Sequence, residues 1–356
     1  MSSRLGALVL AMVAVVAPLH SQTGVAKPPS PDPVDALVAT EMERLHVPGV
    51  SLAVLRHGKV IKVAGYGKAD LEHDLPVTPE TVFKIGSVSK QFLATGIMLL
   101  LQDGRLTLDD PIGKFLTDAP ESWKGITIRH FLTHTSGVLR EGPAFDPFKL
   151  QADGVVIASA YPQPLVFPTG SKYQYCNVCY FALAEIITRV SGKSWEAFLT
   201  ERVFRPVGMT ATRTTTTTAL VPRRARGYVW RNGVYENAAE FIALRPSGAF
   251  LSTVSDLARW DAALYDDRVL TESSRKQMWT PMRLNDGSPT EYGFGWELDT
   301  LDGHRGVHHG GSLPGFRAEM SRFPDDDLTV IVLTNGDSAQ PATIAAGIAR
   351  QHLSRK

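Results

Sequence analysis

The chain has 356 residues, 44% of them hydrophobic, and its 37 Lys and Arg against 36 Asp and Glu leave a formal net charge of +1. That length supports one large domain, or two closely built lobes, with a substantial core. A near-neutral balance without long charged blocks excludes nucleic acid and anionic membrane surfaces as main partners, because each needs a concentrated basic patch.

Residues 1–21 read as a secretory signal: Arg4 precedes an apolar run over 5–17, which gives way to small and polar residues at Ser21-Gln22. The run is too short to span a bilayer comfortably, and no later stretch reaches membrane-helix length. No Cys follows it, which argues against a lipid anchor. The expected protein is therefore exported, periplasmic or secreted, with no stable membrane insertion after cleavage. Residues 22–33, rich in Pro, Ser and Lys, read as a linker.

The domain proper is expected over 34–356. Apolar spacing at Val34, Leu37, Val38, Met42 and Leu45 predicts a helix that Pro48-Gly49 stops. Two strand-like runs, 50–55 and 60–67, flank Arg56-His57-Gly58-Lys59 and form a hairpin signal. From 81 to 275 the pattern is mostly helical, with long connections. A buried helix follows Ser87 through Ile97, Met98, Leu100 and Leu101 and ends at Asp103-Gly104. Residues 126–137 end in a turn, and 178–190 form a second buried helix closed by Ser191-Gly192. Thr214 to Thr218 read as extended loop, and Thr253-Val254-Ser255-Asp256 caps a helix over 257–264. Strands are then predicted over 292–298, 306–311, 316–323 and 328–334, before a helix over 342–353. The fold class is α/β of the α+β type: an antiparallel sheet built from both chain ends (34–80 and 276–356) with flanking helices and an inserted, mostly helical lobe (81–275). A cleft between the lobes is the natural place for a site.

Within this frame Ser87 and Lys90 stand three residues apart at the head of an apolar helix. One helical turn puts a hydroxyl and an amine on one face, a nucleophile beside a group able to take its proton. The helix N-terminus favours developing negative charge there. A second Ser-x-x-Lys, Ser273 to Lys276, lacks the buried helix and reads as a solvated face. Tyr175 and Asn177 lie two apart in a Pro-Gly turn before a helix; a phenol can relay protons and an amide can hold a carbonyl. Tyr235-Glu236-Asn237 repeats that spacing without the turn and reads as surface. On the strand Val307-His308-His309-Gly310-Gly311-Ser312, alternation puts His309 and Gly311 on one face and His308 on the other. The bare Gly311 lets substrate backbone lie close, and the Ser312 N–H joins that of Ser87 as a candidate oxyanion donor. A metal cluster of His304, His308 and His309 is the rival reading, disfavoured by alternation and by the lack of an accompanying carboxylate or cysteine pattern.

Gly86-Ser87-Val88-Ser89-Lys90, Tyr175-Cys176-Asn177 and His309-Gly310-Gly311, in this order, resemble the class C β-lactamase and DD-peptidase family of serine hydrolases, which also includes carboxyesterases. The flanks Leu132-Thr133-His134-Thr135-Ser136-Gly137, Pro206-Val207-Gly208-Met209, Tyr292-Gly293-Phe294-Gly295-Trp296 and Pro314-Gly315-Phe316 resemble it as well, so the likeness runs from Val34 to the C-terminus. It implies that Ser87 is acylated, that Lys90 is its base, and that Tyr175 relays a proton to the leaving group. Asn177 would bind the acyl amide, and His309 would support Tyr175 or a substrate carboxylate. A charged Lys90 with a Tyr175 phenolate is the open alternative for the base. His134 and Ser136 are expected to shape a nearby loop. No cofactor or metal is implied.

True class C β-lactamases resemble a Lys-Thr-Gly third motif, and His309-Gly310-Gly311 departs from it. A neutral histidine attracts a lactam carboxylate less. The expectation is an exported serine hydrolase acting on esters, D-amino peptides or β-lactams, with the first two favoured. A penicillin-binding sensor that is acylated but turns over poorly is the alternative. Cys176 and Cys179 are expected as two small buried residues, with a local disulfide open in an oxidising compartment. Arg140, Arg245, Trp296 and Arg317 are candidates to line the cleft.

Overall fold

A computed structural model describes residues 32–149, 151–214, 218–241, 246–248 and 250–354. The expected signal over 1–21, most of the linker, Arg245 and part of the threonine run lie outside them. In chain order the elements are α1 (Pro33–Leu45), β1 (Gly49–Arg56), β2 (Lys59–Asp70), β3 (Leu75–Pro76), β4 (Phe83–Lys84), α2 (Lys90–Gln102), α3 (Ile128–Leu132), α4 (Asp153–Ala160), α5 (Asn177–Ser191) and α6 (Trp195–Leu199). Then follow β5 (Tyr228–Arg231), β6 (Val234–Asn237), β7 (Leu251–Ser252), α7 (Val254–Ala263), α8 (Glu272–Met278), β8 (Glu297–Leu301), β9 (His304–Leu313), β10 (Phe316–Phe323), β11 (Leu328–Thr334) and α9 (Pro341–His352).

Among the described residues one seven-stranded sheet has the order β3-β2-β1-β11-β10-β9-β8, and every neighbouring pair is antiparallel. Both chain ends therefore build it, with β1 and β11 paired at its centre. Both central strands are covered on both faces, which is why their sequences are nearly continuous apolar runs. Leu52, Val54, Val330 and Val332 pack under α1 and α9. Ala53, Leu55, Ile331 and Leu333 join the larger core with α2 and α5.

Helix α2 is buried from Lys90 to Leu100, around its whole circumference and not on one stripe alone. Such a helix can hold its first turn rigidly. Helix α7 belongs to the segment expected in the helical lobe, yet it lies on the sheet: its Asp261 accepts hydrogen bonds from Arg322 of β10 and from Thr329 Oγ1 of β11, the latter at 2.7 Å. The strand expected over 292–298 starts only at Glu297. Tyr235 to Asn237 lie on β6, an exposed strand of a small sheet with β5. Among the described residues no helix is long and apolar enough to cross a membrane.

Candidate active site

Ser87 lies in a single 3-10 turn, Gly86–Ser89, that runs directly into α2. Two contacts pin this turn: Ser89 Oγ donates to Gly86 O at 2.6 Å and accepts from Phe250 N at 3.3 Å. Gly86 has φ +53°, and a side chain there would meet Ser312 N at 2.6 Å. From the other side, a Cβ on Gly311 would stand 2.0 Å from Ile85 O and 3.2 Å from Ser87 N. The two glycines let strand β9 press against the turn of Ser87, so the amides of Ser87 and Ser312 lie close together.

Lys90 is fully buried. Its Nζ is 3.3 Å from Ser87 Oγ, 2.9 Å from Asn177 Oδ1 and 2.9 Å from Ser247 O. A neutral amine has two N–H donors and one lone pair, and this cage offers two fixed acceptors and one hydroxyl. An ammonium would donate to all three. The same nitrogen stands 4.6 Å from the centre of the Tyr175 ring and 5.3 Å from that of Tyr180.

The Tyr175 hydroxyl is buried and makes no hydrogen bond of good geometry. Burial pushes it well above the usual phenol range; nearby Ser87 opposes that rise, and the charge of Glu297 adds to it. His134 holds Tyr175 from behind, with its ring 4.4 Å from the Tyr175 ring. The amides on either side of Tyr175 both end on His134, Gln174 N on its carbonyl at 2.9 Å and Cys176 N on its Nδ1 at 3.0 Å. His134 itself has φ +59°, a left-handed conformation costly for a side chain of this size. Asn177 opens α5, and its Nδ2 donates to Glu141 Oε1 at 2.5 Å.

His309 is buried, and both its ring nitrogens are engaged. Nδ1 lies 2.6 Å from Gly310 O and so carries the proton, leaving Nε2 to accept from the Tyr292 hydroxyl at 2.9 Å. Burial, then the charge of Lys90, lowers it to about 3, so the ring is neutral. It stands 6.2 Å, centre to centre, from Tyr175. His308 points the other way. Burial alone would lower it, but hydrogen bonds to Asp299 and Glu319 prevail and hold it near about 10. His304 turns to Asp326 at 2.8 Å and to Ser354 O. The three histidines thus face three different sets of partners and share no centre.

The structure brings Ser87, Lys90, Tyr175 and Asn177 together around one nitrogen, with Gly311 and Ser312 against the turn of Ser87 and His309 behind them. The second Ser-x-x-Lys is elsewhere: Lys276 is exposed and pairs with Glu272. Of the cleft candidates, the guanidinium of Arg140 lies 5.3 Å from the Tyr175 ring centre. Trp296 is a core residue against Trp279, and Arg317 pairs with Asp337 at 2.9 Å. The cysteines require a correction: Cys176 and Cys179 form a disulfide, with both residues buried. Cys176 is the extended N-cap of α5 and Cys179 lies one turn in, so their Cα atoms come within 5.4 Å, inside bridging range.

Sequence reasoning passed over three groups. Ser247 contributes a main-chain carbonyl, which any residue carries and no motif marks. Glu141, beside Arg140, is signalled only by its place after the His134-to-Gly137 turn. Glu297 follows Trp296 and puts its Oε1 3.8 Å from His309 Nδ1. Burial raises the Glu297 carboxyl, while His308 works against that rise.

The family profile described as "Beta-lactamase" matches residues 34–354. The chain is 31% identical over 319 residues to penicillin-binding protein 4* of Bacillus subtilis strain 168, covering 83% of this chain and 70% of that protein. It is 27% identical over 315 residues to the D-aminopeptidase of Gluconobacter oxydans strain 621H, covering 86% of this chain and 59% of that enzyme. The solved octameric penicillin-binding protein homologue from Pyrococcus abyssi is similar with a TM-score of 0.81 at 27% identity, covering 89% of this chain and 76% of that one.

Proposed function

The chain belongs to the β-lactamase family, and from that premise we propose that it is an exported serine hydrolase that forms an acyl-enzyme on Ser87 and acts on amides or esters of D-amino acids in preference to β-lactams. The observation that carries the reading is the cage around Lys90 Nζ, where Asn177 Oδ1 and Ser247 O occupy two positions and Ser87 Oγ the third. In this reading Lys90 accepts the Ser87 proton as Oγ attacks the substrate carbonyl. The N–H groups of Ser87 and Ser312 receive the oxyanion. Tyr175 passes the proton on to the leaving group, and water then releases the acyl group from Ser87. Burial of the Tyr175 hydroxyl opposes a resting phenolate, which favours Lys90 over Tyr175 as the base.

Preference for D-amino substrates is supported by the similarity to a D-aminopeptidase and by the neutral His309 where a lactam carboxylate would want a cation. Export is supported by the signal-like residues 1–21. The test is covalent labelling with a phosphonate or penicillin probe together with turnover of D-amino amides, nitrophenyl esters and nitrocefin. Ser87→Ala is expected to abolish both, with Ser273→Ala indistinguishable from wild type; labelling that survives Ser87→Ala sinks the assignment. The similarity to penicillin-binding protein 4* keeps a second reading in play, a sensor that is acylated but turns over poorly. A single stoichiometric burst from a nitrophenyl ester supports the sensor, and steady product release supports the hydrolase.

A further inference from the structure

Strand β8 pairs with β9 only from Leu301 opposite His304 up to Glu297 opposite His308. Strand β9 runs on to Leu313 with β10 on one side. The last part of β9, which carries Gly311 against the turn of Ser87, therefore has an edge that β8 does not cover, and Glu297 stands where that edge begins. An extended acyl chain joined to Ser87 and laid along this edge toward His309 runs toward the position of Glu297, whose Oε1 lies 3.8 Å from His309 Nδ1.

The positive charges that act on Glu297, His308 foremost and then Lys90, are each held in other contacts. The ring nitrogen nearest Glu297, His309 Nδ1 at 3.8 Å, sends its proton to Gly310 O. His308, opposite it in register, is already shared between Asp299 and Glu319. Lys90 is fully buried within its own cage. Arg140, across Tyr175, faces Glu141 at 3.8 Å. Glu297 is 42% exposed, enough to meet a bound group, yet sheltered enough that its field is not fully screened. The same field reaches a reacting group, because after burial itself it is Glu297 that most raises the phenol of Tyr175.

We propose that Glu297 is a specificity-determining residue, an anionic subsite at the head of the open β9 edge that favours acyl groups bearing an ammonium and disfavours those bearing a carboxylate. The inference rests on the acyl-transfer reading of Ser87 and adds to it the charge of the substrate. It gives a D-amino amide or ester a partner for the free amine of its acyl part.

The experiment compares acylation rates for three nitrophenyl esters of similar size: D-alanine with an ammonium, propionate with no charge, and hemisuccinate with a carboxylate. Wild type is expected to rank them in that order. Glu297→Gln, nearly isosteric, should slow the D-alanine ester about tenfold and speed the hemisuccinate about tenfold, the scale of one partly screened charge contact, while propionate stays within about twofold. Glu297→Asp should keep the wild-type ranking. A wild type indifferent to charge overturns the proposal, as does a Glu297→Gln variant whose three rates are unchanged or move together, the mark of a structural role. Acylation that persists in Ser87→Ala, or wild type that reacts with none of the esters, overturns the acyl-transfer reading instead.

Discussion

Replacing Gly311 by Ala perturbs the site where it has least room. The added Cβ would stand 2.0 Å from Ile85 O and 3.2 Å from Ser87 N, and both neighbours are backbone. To restore ordinary contact at 3.4 Å, β9 must retreat by about 1.4 Å from the turn that carries Ser87. Ser312 N is the next amide along that strand, so the retreat parts two N–H groups that have to converge on one oxygen. Loss of one oxyanion donor typically costs about 100- to 1000-fold in kcat, and overpacking a tight site costs about 1–3 kcal/mol of stability. Steady-state turnover of a neutral nitrophenyl ester should fall at least about 100-fold in kcat with KM within a few fold, and denaturant unfolding should show the smaller stability loss. Gly310→Ala is the control. Its Cβ would meet Glu319 Oε2, the end of a side chain, at 3.3 Å, so activity should stay within about threefold. Full activity in a folded Gly311→Ala, or equal losses in both variants, refutes the reasoning.

Asn177→Ala removes an acceptor from Lys90 and a donor from Glu141; kcat should drop about tenfold or more and stability by about 1–3 kcal/mol, and an unchanged kcat would remove Asn177 from the mechanism. Burial raises the Asp153 carboxyl to about 7 against the hydrogen bond from Trp195. A carboxyl raised on folding contributes most below its unfolded value and loses that contribution as pH climbs through the folded one, so Asp153 should weaken the fold between about pH 4 and 7. Asp153→Asn, which can still accept from Trp195, should raise the unfolding free energy measured in urea at pH 8 by an amount on the order of 1–2 kcal/mol and leave it unchanged at pH 4; equal shifts at both pH values would be inconsistent with a titrating Asp153. Replacing Cys176 and Cys179 together by Ser opens a very short loop, for which chain entropy gives about 2 kcal/mol. Because the bridge ties Tyr175 and Asn177 to α5, kcat should fall as well, and a stability loss with unaltered kcat would make the disulfide purely structural.

Much of the fold was legible because local signals and tertiary packing agree. The Thr253 hydroxyl does accept from Asp256 N at 3.0 Å, starting α7 where the capping pattern puts it. The unbroken apolar runs of β1 and β11 become the two central strands. The failures are places where packing overrides the local pattern. Tyr292, Phe294 and Trp296 alternate inward as a strand would, and all three are buried, but the chain turns at Gly295, φ +75°, where a Cβ would lie 2.7 Å from Lys90 O. That stretch packs against the first turn of α2, and strand pairing waits for Glu297. Helix α7 was placed by its position in the chain, whereas Asp261 is held by Arg322 and Thr329 on the sheet. Sequence order carries no information about which face a helix seeks.

For the site, spacing singled out candidates that lie within a turn or a strand of one another: Ser87 with Lys90, Tyr175 with Asn177, His309 with Gly311. Groups that come from far along the chain were invisible, because Ser247 O is generic backbone and Glu141 and Glu297 are ordinary carboxylates until folding sets them beside Asn177 and His309. This also changes what His309 means. In sequence it looks like a weak substitute for a lysine that would greet a carboxylate. Folded, it is sealed between the Tyr292 hydroxyl and Gly310 O and held neutral, so it contributes packing and a hydrogen bond but no charge. With no cation at position 309, the exposed charge at the head of the β9 edge is the Glu297 carboxylate, which His308 and Lys90 oppose from more buried positions. Substitution of a lysine by a histidine would only weaken attraction for an anionic acyl group; an anionic subsite at Glu297, as proposed, would reverse its sign.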